Sequence, residues 1–331
     1  MSVSIKDIAK AAGVSPSTVS RALRDHPRIS QQTKEYICRL AVEMGYTPSA
    51  VARSLVTRRT MTIGLVLPSV SDPFLSQVVL GVEEVALDNG YRVFLCSFYN
   101  DPVQERSIVE AFLEHRVDGI VVTSSRLDTA YTALQEQLGI PIVLTNCREY
   151  AYSVSTDNLH GGRLAVDYLL QLGHTRIGYI ATDPQKQANR SRLAGYRQAL
   201  QERGIAFDPA LVGVGDGRAE GGKRGMQQLL ALNPPPTAVF CYNDMTAIGA
   251  AAALREAGLR VPDDVSLVGF DDIDWAAYSN PPLTTVRQPR RELGRRAMQM
   301  LLELLAGEES PTKVVLQGEL VVRASCRPLW G

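Results

Sequence analysis

Four hydroxyl and guanidinium side chains lie within five residues near the start of the chain. They are Ser17, Thr18, Ser20 and Arg21, and on one short helix they would project from its surface. Groups of this kind bond to the phosphates and base edges of a nucleic acid. Their chemistry is useful only if the neighbouring residues build that helix and a second helix that braces it.

The residues around this cluster fit two short helices joined by a tight turn, across residues 5–23. Gly13 falls where the chain must turn sharply, which favours a residue that tolerates positive φ. Ser15 is placed to cap the second helix, and Pro16 follows at its first position. The pattern is that of a helix-turn-helix, whose second helix enters the major groove of DNA. The apolar residues that would pack the two helices together are Ile5, Ile8, Ala9, Val14, Val19 and Leu23.

A third helix is predicted across residues 31–45, with Ser30 as its cap and Gly45 at its end. Its apolar stripe completes a small all-α head domain, which we assign to residues 1–46. The stripe consists of Ile37, Leu40, Ala41 and Met44.

The segment after the head, residues 47–60, is predicted to be a linker. It opens with Pro48 and contains a short possible helix, Ser49–Leu55. Seven residues are too few for a stable isolated helix, so we interpret the segment as a hinge that becomes helical only when docked.

From residue 61 to residue 331, apolar runs typical of strands alternate with amphipathic helices. This alternation predicts an α/β body with parallel sheets and helices on both faces. Two doubly wound lobes fit the pattern better than one sheet, and a ligand crevice should lie between them at the carboxyl ends of the strands. The predicted strands span 62–67, 91–97, 118–124, 140–146, 176–181, 238–243, 265–270 and 314–320. The predicted helices span 75–88, 104–115, 129–138, 190–203, 244–257 and 290–305.

The formal net charge of the chain is zero, but the charge is unevenly distributed. Residues 1–60 carry ten Lys or Arg against four acidic residues, a formal charge of +6, and the remainder carries −6. A basic head on an acidic body suits contact of the head alone with phosphates. Without the helical pattern, an ordinary fluctuation of surface charge would explain the asymmetry as well.

The cysteines indicate a reducing compartment and no metal site. They are odd in number and widely spaced, with no CxxC or Cys/His cluster, so we expect free thiols and no cofactor. No secretory signal precedes the first helix, and no apolar run approaches membrane-spanning length. We therefore expect a cytoplasmic protein. The cysteines are Cys38, Cys96, Cys147, Cys241 and Cys326.

The body contains no catalytic constellation. Its histidines are scattered, no nucleophile lies in a recognisable elbow, and we expect no enzyme and no catalytic residue. A different class, a transport or cytosolic sugar-binding protein without regulatory DNA binding, would fit the body alone. The basic helical head and the missing signal peptide count against that alternative.

Taken together, the motifs resemble the LacI family of transcription regulators, and the body and linker are similar to its purine- and ribose-repressor branch. The resemblance implies a homodimeric repressor with a periplasmic-binding-protein-like body, a pseudo-palindromic double-stranded operator, and a small effector that controls operator affinity from the cleft. No leucine-rich heptad tail follows the last strand, so we expect a dimer. The motifs are IKDIAKAAGVSPSTVSRAL, YTPSAVARSL, TIGLVLP, DGIVV, GHTRIGYI, RLAGYRQAL, VPDDVSLVGFDD and PPLTTV.

On the second helix, the resemblance implies that Pro16, Ser17 and Arg21 face base edges. Arg21 is the strongest candidate, because a guanidinium that bonds O6 and N7 of guanine is worth roughly 1–3 kcal/mol of discrimination. Its alternative is a phosphate contact or a solvated charge. Thr18 and Ser20 are better interpreted as phosphate contacts or caps.

In the linker, the resemblance implies that Leu55 inserts into the minor groove at the operator centre. An apolar wedge of this kind unstacks a base step and kinks the duplex. Ala52 and Arg53 are expected beside it, near the groove and the phosphates. From the sequence alone, Leu55 would be a buried linker leucine.

For the effector, the resemblance implies eight side chains, mostly in loops that follow strands. Arg192 with Asp157, Asn243 and Asp271 would supply a fork of donors and several acceptors, the combination that vicinal hydroxyls need. We therefore favour a sugar or sugar derivative. For each residue the alternative is a helix cap or a salt bridge between lobes. The eight are Asp72, Phe74, Ser124, Asn146, Asp157, Arg192, Asn243 and Asp271.

Two further positions bear on this site. Gly217 stands where the purine-binding branch stacks an aromatic residue on its ligand; a glycine cannot stack, which favours a sugar over a purine, although Phe74 or Trp275 could compensate. Asp244 sits like an N-cap, and we interpret it as structural.

Overall fold

The computed structural model describes residues 3–23, 25–46, 59–125, 131, 139–147 and 150–330. The chain divides into two compact units, Met1–Thr60 and Met61–Gly331. In the described part, no helix combines the length and the apolar composition that crossing a bilayer requires.

The first unit contains three helices, α1 (Ile5–Ala12), α2 (Pro16–Ala22) and α3 (Gln31–Glu43). Gly13 ends α1 with a φ of +69°, so the turn has the left-handed backbone that its glycine predicts. The predicted helix-turn-helix and third helix are confirmed. Their shared core consists of Ile8, Ala9, Val19, Ala22, Ile37 and Ala41.

The second unit alternates strands and helices, as predicted for an α/β body. Its elements in chain order are β1 (Thr62–Leu67), α4 (Pro73–Asp88), β2 (Arg92–Ser97), α5 (Pro102–Glu114), β3 (Gly119–Thr123), β4 (Ile142–Thr145), β5 (Ser153–Thr156), α6 (Asn158–Gln171), β6 (Ile177–Ala181), α7 (Gln187–Glu202), β7 (Val212–Val214), α8 (Ala219–Leu230), β8 (Ala238–Cys241), α9 (Asp244–Glu256), β9 (Ser266–Asp271), α10 (Asp274–Tyr278), β10 (Thr284–Arg287), α11 (Arg290–Ala306), β11 (Lys313–Leu316) and β12 (Glu319–Val321).

These strands form two six-stranded sheets, one in each lobe. Lobe one has the order β11-β5-β4-β3-β1-β2, and lobe two has the order β12-β10-β9-β8-β6-β7. Every pairing is parallel except that of β12 with β10. The predicted two-lobed fold with parallel sheets is confirmed.

Successive side chains of a strand point to opposite faces of its sheet, and the inner strands of both lobes are buried on both faces. In lobe one, Val121 and Val143 point into a core formed with α4 and α11. Their neighbours Ile120 and Leu144 point into the core on the other face. Strands buried on both sides need continuous apolar runs, which is why the sequence located most of them.

The chain passes between the lobes three times. It leaves lobe one after β5, returns after β10 because α11 packs on the core of lobe one, and crosses again between β11 and β12. The prediction of one final strand over residues 314–320 is therefore wrong. The pairing breaks at Gln317 and Gly318, and each half joins a different sheet.

The sequence patterns do not predict several elements, two of which are strands rich in polar residues. The buried strand β5 reads SVST and the buried strand β10 reads TTVR, so neither has a long apolar run. The predicted helix Ser49–Leu55 lies outside the described residues, as does nearly all of the predicted helix 129–138. The other unpredicted elements are α6, β7, α8, α10 and the separate strand β12.

Helices α6 and α7 touch backbone to backbone through two glycines. A Cβ on Gly195 would overlap the carbonyl oxygen of Leu159, and a Cβ on Gly162 would lie 2.5 Å from the carbonyl oxygen of Arg192. Only residues without a side chain fit at these positions, and the contact fixes the position of Arg192 on α7. Equivalent reciprocal contacts join α4 to α11 through Gly81 and Gly294, and α8 to α9 through Gly222 and Gly249.

We expect Gly195→Ala to lower the free energy of unfolding by about 2 kcal/mol, because overpacking costs typically 1–3 kcal/mol and the obstacle is backbone. By helix propensity alone, alanine would be more favourable than glycine in a helix interior by about 1 kcal/mol. The sign of the change in unfolding free energy therefore shows whether the backbone contact or the helix propensity dominates. Urea denaturation followed by circular dichroism measures it. Gln201→Ala, at an exposed position of the same helix, is the control and should change stability by less than about 0.5 kcal/mol. A stabilised Gly195→Ala would contradict the backbone contact.

Candidate functional site

The N-terminus of α2 is tied down by its cap. The Ser15 hydroxyl accepts a hydrogen bond from the Thr18 backbone N–H at 3.1 Å. It also lies 2.8 Å from the Ser17 hydroxyl and 2.9 Å from the Thr18 hydroxyl. Pro16 occupies the first helical position. The cap that the sequence predicted is present, and it engages the Ser17 and Thr18 hydroxyls, two of the three that the sequence assigned to DNA.

Helix α2 has one buried and one exposed face. Val19 and Ala22 are fully or almost fully buried, while Ser17 and Arg21, four residues apart, are exposed on one face. Pro16 is also exposed, whereas Thr18 and Ser20 are half-buried. The structure therefore groups the three residues expected at base edges on the exposed part of α2. The other three predicted DNA contacts, Ala52, Arg53 and Leu55, lie outside the described residues.

In the second unit, the predicted effector residues lie at the carboxyl ends of strands or on the helices that follow. Lobe one carries Asp72, Phe74, Ser124 and Asn146, and Asp157 lies at a crossing between lobes. Lobe two carries Arg192, Asn243 and Asp271. Among these three, the structure brings Arg192 and Asp271 into direct contact.

Arg192 is the central side chain of lobe two and is only 4% exposed. Its Nε donates to Oδ1 of Asn158 at 2.9 Å, and its Nη1 donates to the carbonyl oxygen of Tyr242. Its Nη2 lies 3.7 Å from Oδ1 of Asp271. The guanidinium lies over the ring of Phe270, 3.6 Å from the centroid, and 4.6 Å from that of Tyr242. The cation is thus held in place, with Nη2 directed toward Asp271.

Asp271 is a buried carboxyl group in a strained backbone conformation. Its φ of +117° lies in a region that side chains other than glycine rarely adopt. Burial raises the pKa of Asp271 to about 7; the charge of Asp72 acts in the same direction, and Arg192 opposes it. Gln288 Nε2 donates to its Oδ1 at 2.6 Å. Near neutral pH this group can accept or donate a hydrogen bond, which suits a hydroxyl-bearing ligand.

Asn243 takes the capping role that the sequence suggested for Asp244. Asn243 is the N-cap of α9, since its Oδ1 accepts from the backbone N–H of Thr246 at 2.9 Å. Its Nδ2 donates to the carbonyl oxygen of Gly217 at 3.0 Å. The prediction that Asp244 is the cap is therefore wrong, although its interpretation as structural fits what the side chain touches.

Asp244 is fully buried at the first position of α9. Its carboxylate accepts from the Ile273 backbone N–H at 2.8 Å and from the Thr285 hydroxyl at 2.5 Å. Burial raises its pKa well above the ordinary value, and the nearby charge of Asp271 adds to the effect. The group ties α9 to β10 and to the loop after β9.

The lobe-one residues differ in how much they present to the cleft. Asp72 is the N-cap of α4 and accepts from the backbone N–H of Phe74 at 3.0 Å; burial raises its pKa. Phe74 is only 8% exposed and belongs to the core, so little of its ring is available to cover a ligand. Ser124 and Asn146 are half-buried with φ values of +51° and +58°.

Asp157 begins α6 at the first crossing between lobes. Its Oδ1 accepts from the backbone N–H of His160 at 3.1 Å, so it is also a helix cap. Its Oδ2 lies 3.4 Å from Nε2 of Gln317, in the third crossing. The capping alternative thus fits three predicted effector residues, Asp72, Asp157 and Asn243.

The structure adds polar residues to the predicted set, in which only Asn146 of the following six was included. In the described residues, six side-chain oxygens are buried without a hydrogen-bond partner, and each belongs to the last residue of a parallel strand or the one after it. Buried polar atoms are nearly always paired, so these positions mark where a ligand or water would complete the site. A hydroxyl residue at the end of an apolar run is the signal that could have found most of them. The six residues are Ser97, Thr145, Asn146, Thr156, Thr182 and Gln288.

Comparison with known proteins gives matches for both units. Residues 4–49 match the model of bacterial regulatory proteins of the lacI family, and residues 166–326 match that of the periplasmic binding protein-like domain. The HTH-type transcriptional repressor CytR of Escherichia coli strain K12 is 39% identical over 332 residues, covering 98% of this chain and 96% of the relative.

Two solved structures are similar over nearly the whole chain. A lac repressor dimer bound to operator and the anti-inducer ONPF is 30% identical with a TM-score of 0.92, covering 99% of this chain and 100% of the other. A complex of the transcriptional regulator CelR with cellobiose is 32% identical with a TM-score of 0.76, covering 98% and 99%.

The raised pKa of Asp271 predicts a specific pH dependence of stability. The folded protein binds this proton more tightly than the unfolded chain, so the stability that Asp271 contributes is fully present below about pH 4 and is lost as the pH rises through 7. Asp271→Asn does not titrate. We expect its free energy of unfolding, relative to the wild type, to rise by about 2 kcal/mol between pH 5 and pH 8.

Urea denaturation at several pH values measures this difference. Asp88→Asn, at an exposed position in lobe one, controls for the loss of one acidic group. A difference between Asp271→Asn and the wild type that stays constant with pH would contradict the assignment of a protonated, buried Asp271.

Proposed function

The chain belongs to the LacI family of bacterial regulatory proteins, and we propose that it is a cytoplasmic, effector-controlled repressor that binds its operator through α2 and its effector between the two lobes. It is a DNA-binding transcriptional regulator and not an enzyme. The observation that carries the DNA-binding role is the exposure of Ser17 and Arg21 on one face of α2 while Val19 and Ala22 anchor the other. A transport protein would not require a helix with this exposed polar face, so the transport-protein alternative does not explain α2.

In the head, we assign direct contact with bases chiefly to Arg21. Its long, exposed side chain is on the same face as Ser17, whose hydroxyl is shared with the Ser15 cap and is therefore less available to bases. Pro16 contributes apolar contact only. The half-buried Thr18 and Ser20 suit contacts with phosphates, where short side chains near a helix N-terminus suffice. This division places most of the sequence preference on one guanidinium per half-site.

In the linker, we assign the minor-groove wedge to Leu55, with Ala52 and Arg53 beside it. An apolar side chain between base steps costs unstacking energy but bends the duplex toward the protein. The assignment rests on the linker sequence, because these residues lie outside the described part of the chain.

For the effector, we propose a carbohydrate or carbohydrate derivative. Support comes from the Nη2 of Arg192, the carboxyl group of Asp271 and the unpartnered oxygen of Asn146, because a polyol both donates and accepts hydrogen bonds. The similar CelR structure is described as a complex with cellobiose. A side chain on Gly217 would meet the Thr182 hydroxyl and the Tyr242 ring, both at 3.4 Å. The glycine leaves that space open to a ligand.

We propose that the chain acts as a homodimer whose interface includes the outer edge of lobe one. Strand β2 ends the sheet, so one of its edges is unpaired. Beside it, the exposed residues Val70, Leu80 and Leu95 help line an apolar cavity of about 320 Å³. A symmetric dimer of this kind predicts a pseudo-palindromic operator.

The DNA-binding proposal is tested by selecting duplexes from a random pool with the purified protein and measuring affinity by fluorescence anisotropy. Arg21→Ala should reduce preference at one base pair per half-site by roughly 5- to 100-fold, equivalent to about 1–3 kcal/mol, and leave non-specific binding nearly unchanged. Arg39→Ala, an exposed arginine on α3, is the control for the loss of one charge. Equal weakening on all sequences would assign Arg21 to a phosphate, and failure to enrich any duplex at low salt would refute the regulator proposal.

The dimer proposal is tested by Leu95→Asp, which places a charge at the apolar edge. We expect the dimer dissociation constant to rise at least tenfold, because an unpaired charge buried in an interface costs several kcal/mol. Light scattering coupled to size-exclusion chromatography measures the mass at a series of concentrations. Val214→Asp changes an exposed apolar residue on the edge strand of lobe two and should remain dimeric. An unchanged dimer in Leu95→Asp would exclude this edge from the interface.

A further inference from the structure

Gln288 lies where the chain passes from lobe two back to lobe one. It is the first residue after β10 and precedes Pro289, after which α11 packs on the core of lobe one. Its side chain is only 3% exposed. A polar residue buried in a connection between two lobes must find its hydrogen bonds in both, or leave some unmade.

The side chain of Gln288 is bonded to the proposed effector site. Its Nε2 donates to Oδ1 of Asp271 at 2.6 Å, the oxygen that also lies 3.7 Å from Nη2 of Arg192. The amide orientation follows from this contact, because a carboxylate accepts and only the amide nitrogen donates. A ligand group that engages Oδ1 of Asp271 therefore competes with Gln288 or turns its amide.

The backbone of Gln288 leads toward lobe one through Arg290. The Gln288 carbonyl oxygen accepts from the backbone N–H of Arg290 at 2.8 Å. The Arg290 guanidinium donates to the carbonyl oxygens of Asp272, at 2.7 Å, and of Pro73, at 3.2 Å. Pro73 is the first residue of α4, directly after Asp72. A continuous set of hydrogen bonds thus joins the Asp271 carboxyl group in lobe two to the N-terminus of α4 in lobe one.

The second polar atom of Gln288 is unsatisfied. Oε1 is buried and has no hydrogen-bond partner, which is unfavourable for a buried acceptor. Half a turn of the amide would place Oε1 toward Asp271, where it could accept from a protonated carboxyl group or from a ligand hydroxyl. The side chain therefore has two discrete arrangements, and what occupies Asp271 decides between them.

A similar pair occurs at the other crossings. Gln317, between β11 and β12, approaches Asp157 at the start of α6 through Nε2 and Oδ2, 3.4 Å apart. Both carboxyl groups belong to the proposed effector set, and each contacts a glutamine in a segment that connects the lobes. The Gln288 bond is the shorter of the two and has the further link through Arg290, so it carries the stronger coupling.

We propose that Gln288 is the positioning residue that couples occupancy of the effector site at Asp271 to the arrangement of the two lobes. The inference rests on the proposed function only where operator binding is the readout. Gln288 does not itself recognise DNA, and its role is to make the lobe-one end of the crossing respond to Asp271.

Hydrogen exchange of the free protein tests the coupling without DNA. Gln288→Met removes Nε2 and Oε1 while keeping a side chain of nearly the same size. At one fixed pH, we expect amide exchange at least threefold faster in residues 271–290 and also in the first turn of α4, in the other lobe. Gln201→Met, at an exposed position of α7, is the control and should change neither. A change confined to residues 271–290 would overturn the proposal, since it would indicate local packing alone.

A variant whose charge depends on pH, Gln288→Glu, tests the coupling on the operator duplex selected from the random pool. At pH 8, the carboxylate of Gln288→Glu faces Asp271; at pH 6, a protonated Glu can donate to Asp271 as the amide does. The present conformation is more similar to the operator-bound lac repressor, with a TM-score of 0.92, than to the CelR complex, with 0.76. We therefore expect that loss of the bond between Gln288 and Asp271 weakens operator binding. Relative to the wild type at the same pH, Gln288→Glu should bind at least fivefold more weakly at pH 8 and within twofold at pH 6. The charged groups that act on Asp271 are the same in the wild type and the variant. They are Arg192, Asp72, Asp244 and Arg290.

Gln288→Met should weaken operator binding by a similar factor at both pH values, because it cannot be rescued by a proton. Wild-type affinity for both variants at pH 8, or a defect of Gln288→Glu that persists at pH 6, would overturn the proposal. If the wild type binds no duplex at all, the proposed function fails, and the exchange experiment still decides the coupling.

Discussion

The structure of lobe two depends on burying one guanidinium group. A cation taken out of water needs acceptors within reach, and Arg192 obtains them from three elements: Asn158 on α6, the Tyr242 carbonyl after β8 and Asp271 at the end of β9. These groups meet only if α7 lies directly against α6. The glycine contact between the two helices allows that approach, and Phe270 lies under the guanidinium. The requirement of one side chain thus accounts for helix spacing, strand ends and the strained backbone at Asp271.

Fewer contacts are needed to position α2 in the N-terminal head domain. A short helix with two buried residues on one side needs only a cap and a turn to be positioned, and the Ser15 cap and Gly13 supply them. Its exposed face is then free to vary without loss of the fold, which is how recognition of different sequences is compatible with one scaffold. The proposed effector site has less freedom of this kind, because several of its polar side chains also cap helices. Asp72, Asp157 and Asn243 each cap a helix N-terminus.

Much of the fold was predictable from local signals, and the rest depends on tertiary contacts. The head helices follow from caps, turn residues and apolar spacing, and most strands follow from apolar runs that suit burial on both faces. Strands β5 and β10 could not be predicted in this way, because Ser and Thr occur in turns as well as in strands. Their burial depends on the neighbouring strands and helices of the folded lobes. In the same way, nothing local distinguishes Asn243 from Asp244 as the cap of α9. Gln288 was missed because a glutamine in a connection is ordinarily a solvated residue. The split of residues 313–321 between two sheets depends on which edges are open, a property of the assembled lobes.

The three crossings between the lobes have a consequence for how the protein is made. Neither sheet is a continuous stretch of sequence: lobe one lacks α11 and β11 until more than 130 further residues have been synthesised after β5. A ribosome releases the chain from its N-terminus onward, so the first five strands of lobe one must wait, with one face of their sheet still lacking α11, while lobe two emerges. Both lobes then reach completion within the last few dozen residues. A chain that ends before β11 leaves both sheets incomplete. Truncation therefore does not produce one complete lobe without the other.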